Sequence, residues 1–75
     1  MFKCYSIQTE LDKRMTLKGH TNMTLAKTVG VSYQHLSSIR NKKINASPKL
    51  AKRIADTLGV EIEEIFTIEA KKEAN

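Results

Sequence analysis

The stretch Asn22-Met23-Thr24-Leu25-Ala26-Lys27-Thr28-Val29-Gly30-Val31-Ser32-Tyr33-Gln34-His35-Leu36-Ser37-Ser38-Ile39-Arg40-Asn41 decides the fold. It holds two short helical patterns around a three-residue turn. In the first, Leu25, Ala26 and Val29 form one apolar stripe, and Thr21 stands where it can cap the helix. Gly30 supplies a left-handed turn position at no steric cost. Ser32 is a good N-cap for the second pattern, which runs from Tyr33 through Asn41. There Leu36 and Ile39 mark the buried side. At about 100° per residue, Gln34, Ser37, Ser38 and Asn41 lie opposite them, with Tyr33 and His35 on the flanks. The outward face is uncharged yet rich in donors and acceptors, whereas a face meant only for solubility normally carries Lys and Glu.

Charge sharpens this reading. The net charge of +5 conceals an uneven distribution: residues 1–12 sum to −1, residues 13–55 to +10 and residues 56–75 to −4. No Asp or Glu occurs across the forty-three residues from Lys13 to Ala55, while ten Lys or Arg do. Self-repulsion in such a stretch weakens a fold somewhat, a cost that makes sense where a polyanion is met. A helical pair inside a purely basic stretch is what a nucleic-acid backbone selects for.

Working outward, Ile7, Leu11 and Met15 recur at four-residue spacing. They predict a first helix from near Ser6 or Thr9 to Lys18, stopped by Gly19. Upstream, Phe2-Lys3-Cys4-Tyr5 alternates weakly and reads as either a short strand or an arm. Downstream, Arg40, Lys42 and Lys43 lead into a loop ending at Ala46. Ser47-Pro48 then announces a fourth helix, an N-cap followed by proline at the first helical position. Its apolar residues Ala51, Ile54, Ala55 and Leu58 keep helical spacing, and Gly59 ends it. Ile62, Ile65 and Phe66 predict a short fifth helix, with Glu61, Glu63 and Glu64 near its positive end. The expectation is an all-α bundle of about five helices, organised as an N-terminal arm (residues 1–8), one domain (9–68) and a polar tail (69–75).

The chain of 75 residues suits one small domain that buries roughly 60–65% of its unfolded surface, so an oligomer would help it. The single Cys4 excludes an internal disulfide and fits a reducing compartment. No apolar run is long enough to span a membrane and there is no signal-peptide layout, so the expected location is the cytoplasm (bacterial cytosol or nucleoid). His20 and His35 have no Cys or carboxylate at ligand spacing between them, so no metal and no cofactor is expected. Ser37 and His35, two residues apart, point different ways on a helix and form no triad with Asp56. Nothing resembles a phosphate loop or a paired-carboxylate site, and the chain is not expected to be an enzyme.

The run Leu25-Ala26, Gly30-Val31-Ser32, Leu36, Ile39, Ser47 and Leu58-Gly59-Val60, ending at Glu64-Ile65-Phe66, resembles the Cro/lambda-repressor-like helix-turn-helix family. The likeness covers about residues 9–66. It implies that helix 2 crosses a DNA backbone and that helix 3 enters the major groove. Carried over residue by residue, it makes Tyr33, Gln34, Ser37, Ser38 and Asn41 base-contacting, with Gln34 and Asn41 suited to adenine. Asn22, where the family usually has Gln, and Ser32, Arg40, Lys42 and Lys43 become phosphate contacts. Tyr33 also has a plain packing reading, and the two serines one of merely permitting close approach. This chain departs from the family at three places. Arg40 stands where many relatives carry an acid, Lys42 where they often have glycine, and His20 where an apolar residue is usual. The exit from helix 3 therefore depends on Asn41 or Lys42 in a left-handed conformation.

The function these readings favour is a sequence-specific regulator of transcription. It would repress by occupying operator half-sites as a homodimer, in the manner of small switch proteins of phages and other mobile elements. Two dimer surfaces are open: the acidic, partly apolar end around Ile62, Ile65, Phe66 and Ile68, or strand pairing by the Phe2–Tyr5 arm. The first suits a surface turned away from DNA. The alternatives are a protein partner, with the fold acting as an anti-repressor or antitoxin-like module, and an accessory factor that bends DNA for excision.

Overall fold

The computed structural model describes residues 2–70. The elements are β1 (Phe2–Ser6), α1 (Gln8–Leu17), α2 (Asn22–Val29), α3 (Tyr33–Arg40), α4 (Pro48–Leu58), α5 (Ile62–Ile65) and β2 (Phe66–Ala70). The five helices stand where the apolar spacing put them, and their ends follow the capping chemistry. Thr21 Oγ1 accepts from the Thr24 amide at 3.2 Å while the Thr21 amide donates to Thr24 Oγ1 at 2.8 Å. Ser32 and Ser47 accept from the amides of His35 and Leu50. Gly30, at φ 82°, closes α2.

One core joins all the helices. Leu11, Leu25, Val29, Leu36, Ile39, Ala51, Ile54, Ala55 and Ile65 are completely buried, and Leu58 and Phe66 nearly so. Burial of this kind contributes about 25 cal/mol per Å² of apolar surface, which explains why the apolar spacing alone locates the helices. Cross-links outside the core then fix the packing. Arg14 bridges from α1 to Glu64 of α5 at 3.2 Å. Arg53 Nη1 of α4 donates to the Val29 carbonyl at the end of α2, at 3.0 Å.

Of the two readings left open for Phe2–Tyr5, the strand is the one found: β1 pairs antiparallel with β2 in the register Phe2↔Ala70, Cys4↔Ile68 and Ser6↔Phe66. The other end of the chain departs from the sequence expectation. Phe66 was expected in the fifth helix. It takes extended dihedrals instead (φ −132°, ψ 142°) and opens β2. Glu69 and Ala70, assigned to the polar tail, belong to this strand, and residues 71–75 of that tail lie outside the described residues. Phe66 enters the core from the strand, so its apolar character signalled burial correctly but not the backbone that delivers it. On its other side β1 meets the loop after α3, where the Ala46 amide donates to the Cys4 carbonyl at 2.8 Å. Cys4 is itself buried, and desolvation pushes its thiol pKa up.

Candidate nucleic-acid interface

The end of α3 is set by backbone geometry and by a side chain from the first strand. Asn41 is the C-cap, and Lys42 adopts φ 61°, the left-handed turn that glycine usually supplies. Of the two residues expected to carry this turn, Lys42 does. Ser6, fully buried, directs its hydroxyl at the Ile39 carbonyl (2.8 Å) and the Arg40 carbonyl (2.9 Å). A helix leaves its last four carbonyls without partners inside the helix. Ser6 is the donor that meets the Arg40 carbonyl, and it adds a second donor to the Ile39 carbonyl, which also accepts from the Lys42 amide at 3.1 Å. No sequence signal marked this role, because it depends on strand pairing that brings residue 6 beside residue 39.

Among the expected base contacts, Tyr33, Gln34 and Asn41 are exposed, and Ser37 and Ser38 half-buried. Gln34, Ser37, Ser38 and Asn41 lie away from Leu36 and Ile39, which are fully buried, and Tyr33 stands on the flank. Gln8 Nε2 approaches Asn41 Oδ1 at 3.4 Å, a long contact that leaves the Asn41 amide largely available. Among the expected phosphate contacts, Lys42 and Lys43 are exposed and make no ion pair among the described residues. Asn22 is half-buried at the start of α2, with its Oδ1 enclosed and without a hydrogen-bond partner. Ser32 already uses its oxygen as the cap of α3.

Arg40 differs from the rest of that set. Its guanidinium is turned toward α1, where Nε and Nη2 both meet Asp12 Oδ1, the Nε bond measuring 2.8 Å. The Arg40 side chain is 18% exposed. Asp12 lies one residue before the acid-free stretch begins, so the charge count by itself did not connect it with α3.

Two grooves flank α3. One, about 630 Å³, lies between α1, the start of α2 and α3, and is lined by residues including Asp12, His20, Asn22, Met23, Tyr33 and Arg40. The other, about 280 Å³, lies between α3 and α4 and is lined by Val31, His35, Ser47, Lys49, Leu50 and Arg53. Met23, 67% exposed, and Lys49 and Arg53 thus border the outward helix without having been singled out in the sequence. The i, i+4 spacing of Lys49 and Arg53 on α4 was the available signal for the second pair. A neutral polar ridge between two grooves, with lysines at its exit, can lie in a duplex groove while cations meet the backbones beside it.

The expected dimer surface is divided by burial. Ile65 and Phe66 are core residues and cannot meet a second chain, while Ile68 is 42% and Phe2 57% exposed. Among the described residues no group of three His, Cys, Asp or Glu is placed to hold a metal ion, and no helix is long and apolar enough to cross a membrane.

A family model described as helix-turn-helix matches residues 11–65. The chain is 40% identical over 63 residues to an uncharacterized helix-turn-helix-type transcriptional regulator of Methanocaldococcus jannaschii, covering 84% of this chain and 96% of that protein. Its fold matches the crystal structure of a Bacteroides fragilis protein described as a candidate DNA-binding protein. The TM-score is 0.70, with 21% identity over 89% of this chain and 100% of the other.

Proposed function

The chain belongs to the helix-turn-helix family of the Cro/lambda-repressor type, and on that premise we propose that it regulates transcription by reading double-stranded DNA with α3. The observation that carries this reading is the division of α3 itself. Leu36 and Ile39 are fully buried, while Gln34 and Asn41 are exposed and uncharged, followed directly by exposed Lys42 and Lys43. Gln34 and Asn41 have the amide geometry that pairs with adenine N6 and N7. Tyr33, Ser37 and Ser38 complete the surface that meets the bases. Lys42, Lys43, Asn22 and Ser32 contact phosphates, which set register and supply the salt-sensitive part of the affinity.

A helix of eight residues reads too few base pairs to define one address in a genome, so the working form is a dimer on two half-sites about one helical turn apart. The support for a dimer surface is the outer edge of β2, which has no strand beside it among the described residues. Residues directly opposite in an antiparallel pair share a face, so Phe2, Ile68 and the buried Cys4 lie on one side. Exposed Phe2 and Ile68 then form an apolar patch at an open edge, which a second copy of β2 would cover. Repression follows from occupancy: a protein of this size seated on a promoter excludes polymerase.

The test is fluorescence anisotropy with DNA flanking the protein's own gene and with a scrambled duplex, each at two salt concentrations. Binding at least ~10³-fold tighter to the flanking DNA supports sequence reading. Equal, salt-fragile binding to both would reduce the protein to a basic surface.

A further inference from the structure

Asp12 is the acidic residue in the groove beside α3, and its partner is a cation of α3 itself. Resting on the DNA-binding reading above, we propose that Asp12 is a positioning residue that holds Arg40 off the DNA phosphates and so limits sequence-independent binding. Two features of the structure support this. Both Arg40 contacts go to one carboxylate oxygen, and the guanidinium is drawn against α1, with its side chain only 18% exposed. Meanwhile the groove that Arg40 lines also holds Asn22 and Tyr33, from the two helices proposed to meet DNA, so a released Arg40 would have phosphates within its reach.

Affinity for any duplex rises with every cation placed on a phosphate, and each contact adds about −0.9 to the slope of log K against log salt. A cation neutralised within the protein makes no such contact. When the protein rests on arbitrary DNA it has no fixed register, and a free Arg40 could choose whichever phosphate came near. On the operator, base contacts fix α3, and an arginine already held on Asp12 need not move. The pair therefore subtracts more from off-site binding than from operator binding. Asp12 is 41% exposed and Arg40 18%, so the carboxylate is what keeps the guanidinium folded against α1, and phosphate can draw Arg40 outward once that carboxylate is neutralised.

The test compares the unsubstituted protein, Asp12→Asn and the double variant Asp12→Asn/Arg40→Gln on operator and scrambled duplexes from 50 to 200 mM salt, with thermal unfolding of each. Asp12→Asn is expected to bind the scrambled duplex more tightly, with a slope steeper by about 0.9. That gain should shrink about 3.5-fold across the salt range. The operator should gain less, so the ratio of the two affinities falls, and the double variant should return to the original slope. An unchanged slope in Asp12→Asn, a loss of affinity in proportion on both duplexes, or an equal gain on both would overturn the proposal. So would a steeper slope that persists without Arg40. Absence of binding by the unsubstituted chain to either duplex would overturn the DNA reading as well, a result distinct from all of these.

Discussion

The Ser6 hydroxyl hydrogen-bonds the Ile39 carbonyl at 2.8 Å, joining the first strand to the end of the helix proposed to read DNA. Ser6 is fully buried, so its removal takes the donor from the Arg40 carbonyl in a place water cannot easily reach, while the Ile39 carbonyl keeps the Lys42 amide. Leaving a buried acceptor unsatisfied costs about 1–3 kcal/mol. Ser6→Ala is expected to lower unfolding stability in urea by that amount. It should also speed amide exchange at Asn41 and Lys42, whose amides bond within the last turn of α3 and its exit. Loss of stability with no change in exchange there would contradict the role assigned to Ser6.

Lys42 joins backbone strain to charge. At φ 61° a lysine bears about 1–2 kcal/mol that glycine would not, while glycine gives back about 0.5–1 kcal/mol through its more flexible unfolded chain. Lys42→Gly should therefore stabilise the fold by about 0.5 kcal/mol. It should at the same time make the salt slope of DNA binding shallower by about 0.9, the loss of one phosphate contact. A more stable protein with an unaltered slope would remove Lys42 from the interface.

These two residues show how far the sequence could be read. The exit of α3 was legible as a problem, because a helix followed by Asn41-Lys42-Lys43 without glycine needs a left-handed residue from somewhere. That Lys42 supplies it is a matter of packing around the loop. The helices and the turn at Gly30 were legible for a simpler reason: apolar spacing, serine and threonine caps and glycine stops all act over a few residues. The two-stranded sheet was legible only in part: Phe2–Tyr5 read as either a strand or an arm, and nothing pointed to its partner. Its strands lie sixty residues apart, each is five residues long, and Phe66 fits the apolar spacing of a helix as well as it fits a strand. The Arg40–Asp12 pair escaped for the same reason, since twenty-eight positions separate its partners. The outward face of α3 could be placed from helical periodicity alone. The cations of α4 beside it needed the fold to bring Lys49 and Arg53 next to His35.

The open edge of β2 gives the test of assembly. Ile68→Glu places a charge in the exposed apolar patch while leaving the buried Phe66 in place. Sedimentation should show monomer mass with helical content retained, and operator affinity should fall because two half-sites are no longer bound together. An unchanged dimer would exclude this edge as the interface.

Base reading by the neutral outward face of α3 is decided by pairing one side-chain change with every base change. Single-base-pair variants spanning the bound site would be titrated with the unsubstituted protein and with Gln34→Ala at fixed salt. The substitution is expected to cost about 1–3 kcal/mol on the intact site and to erase discrimination at one A·T pair, leaving preferences elsewhere and scrambled-duplex binding as they were. A preference profile identical in both proteins would contradict it.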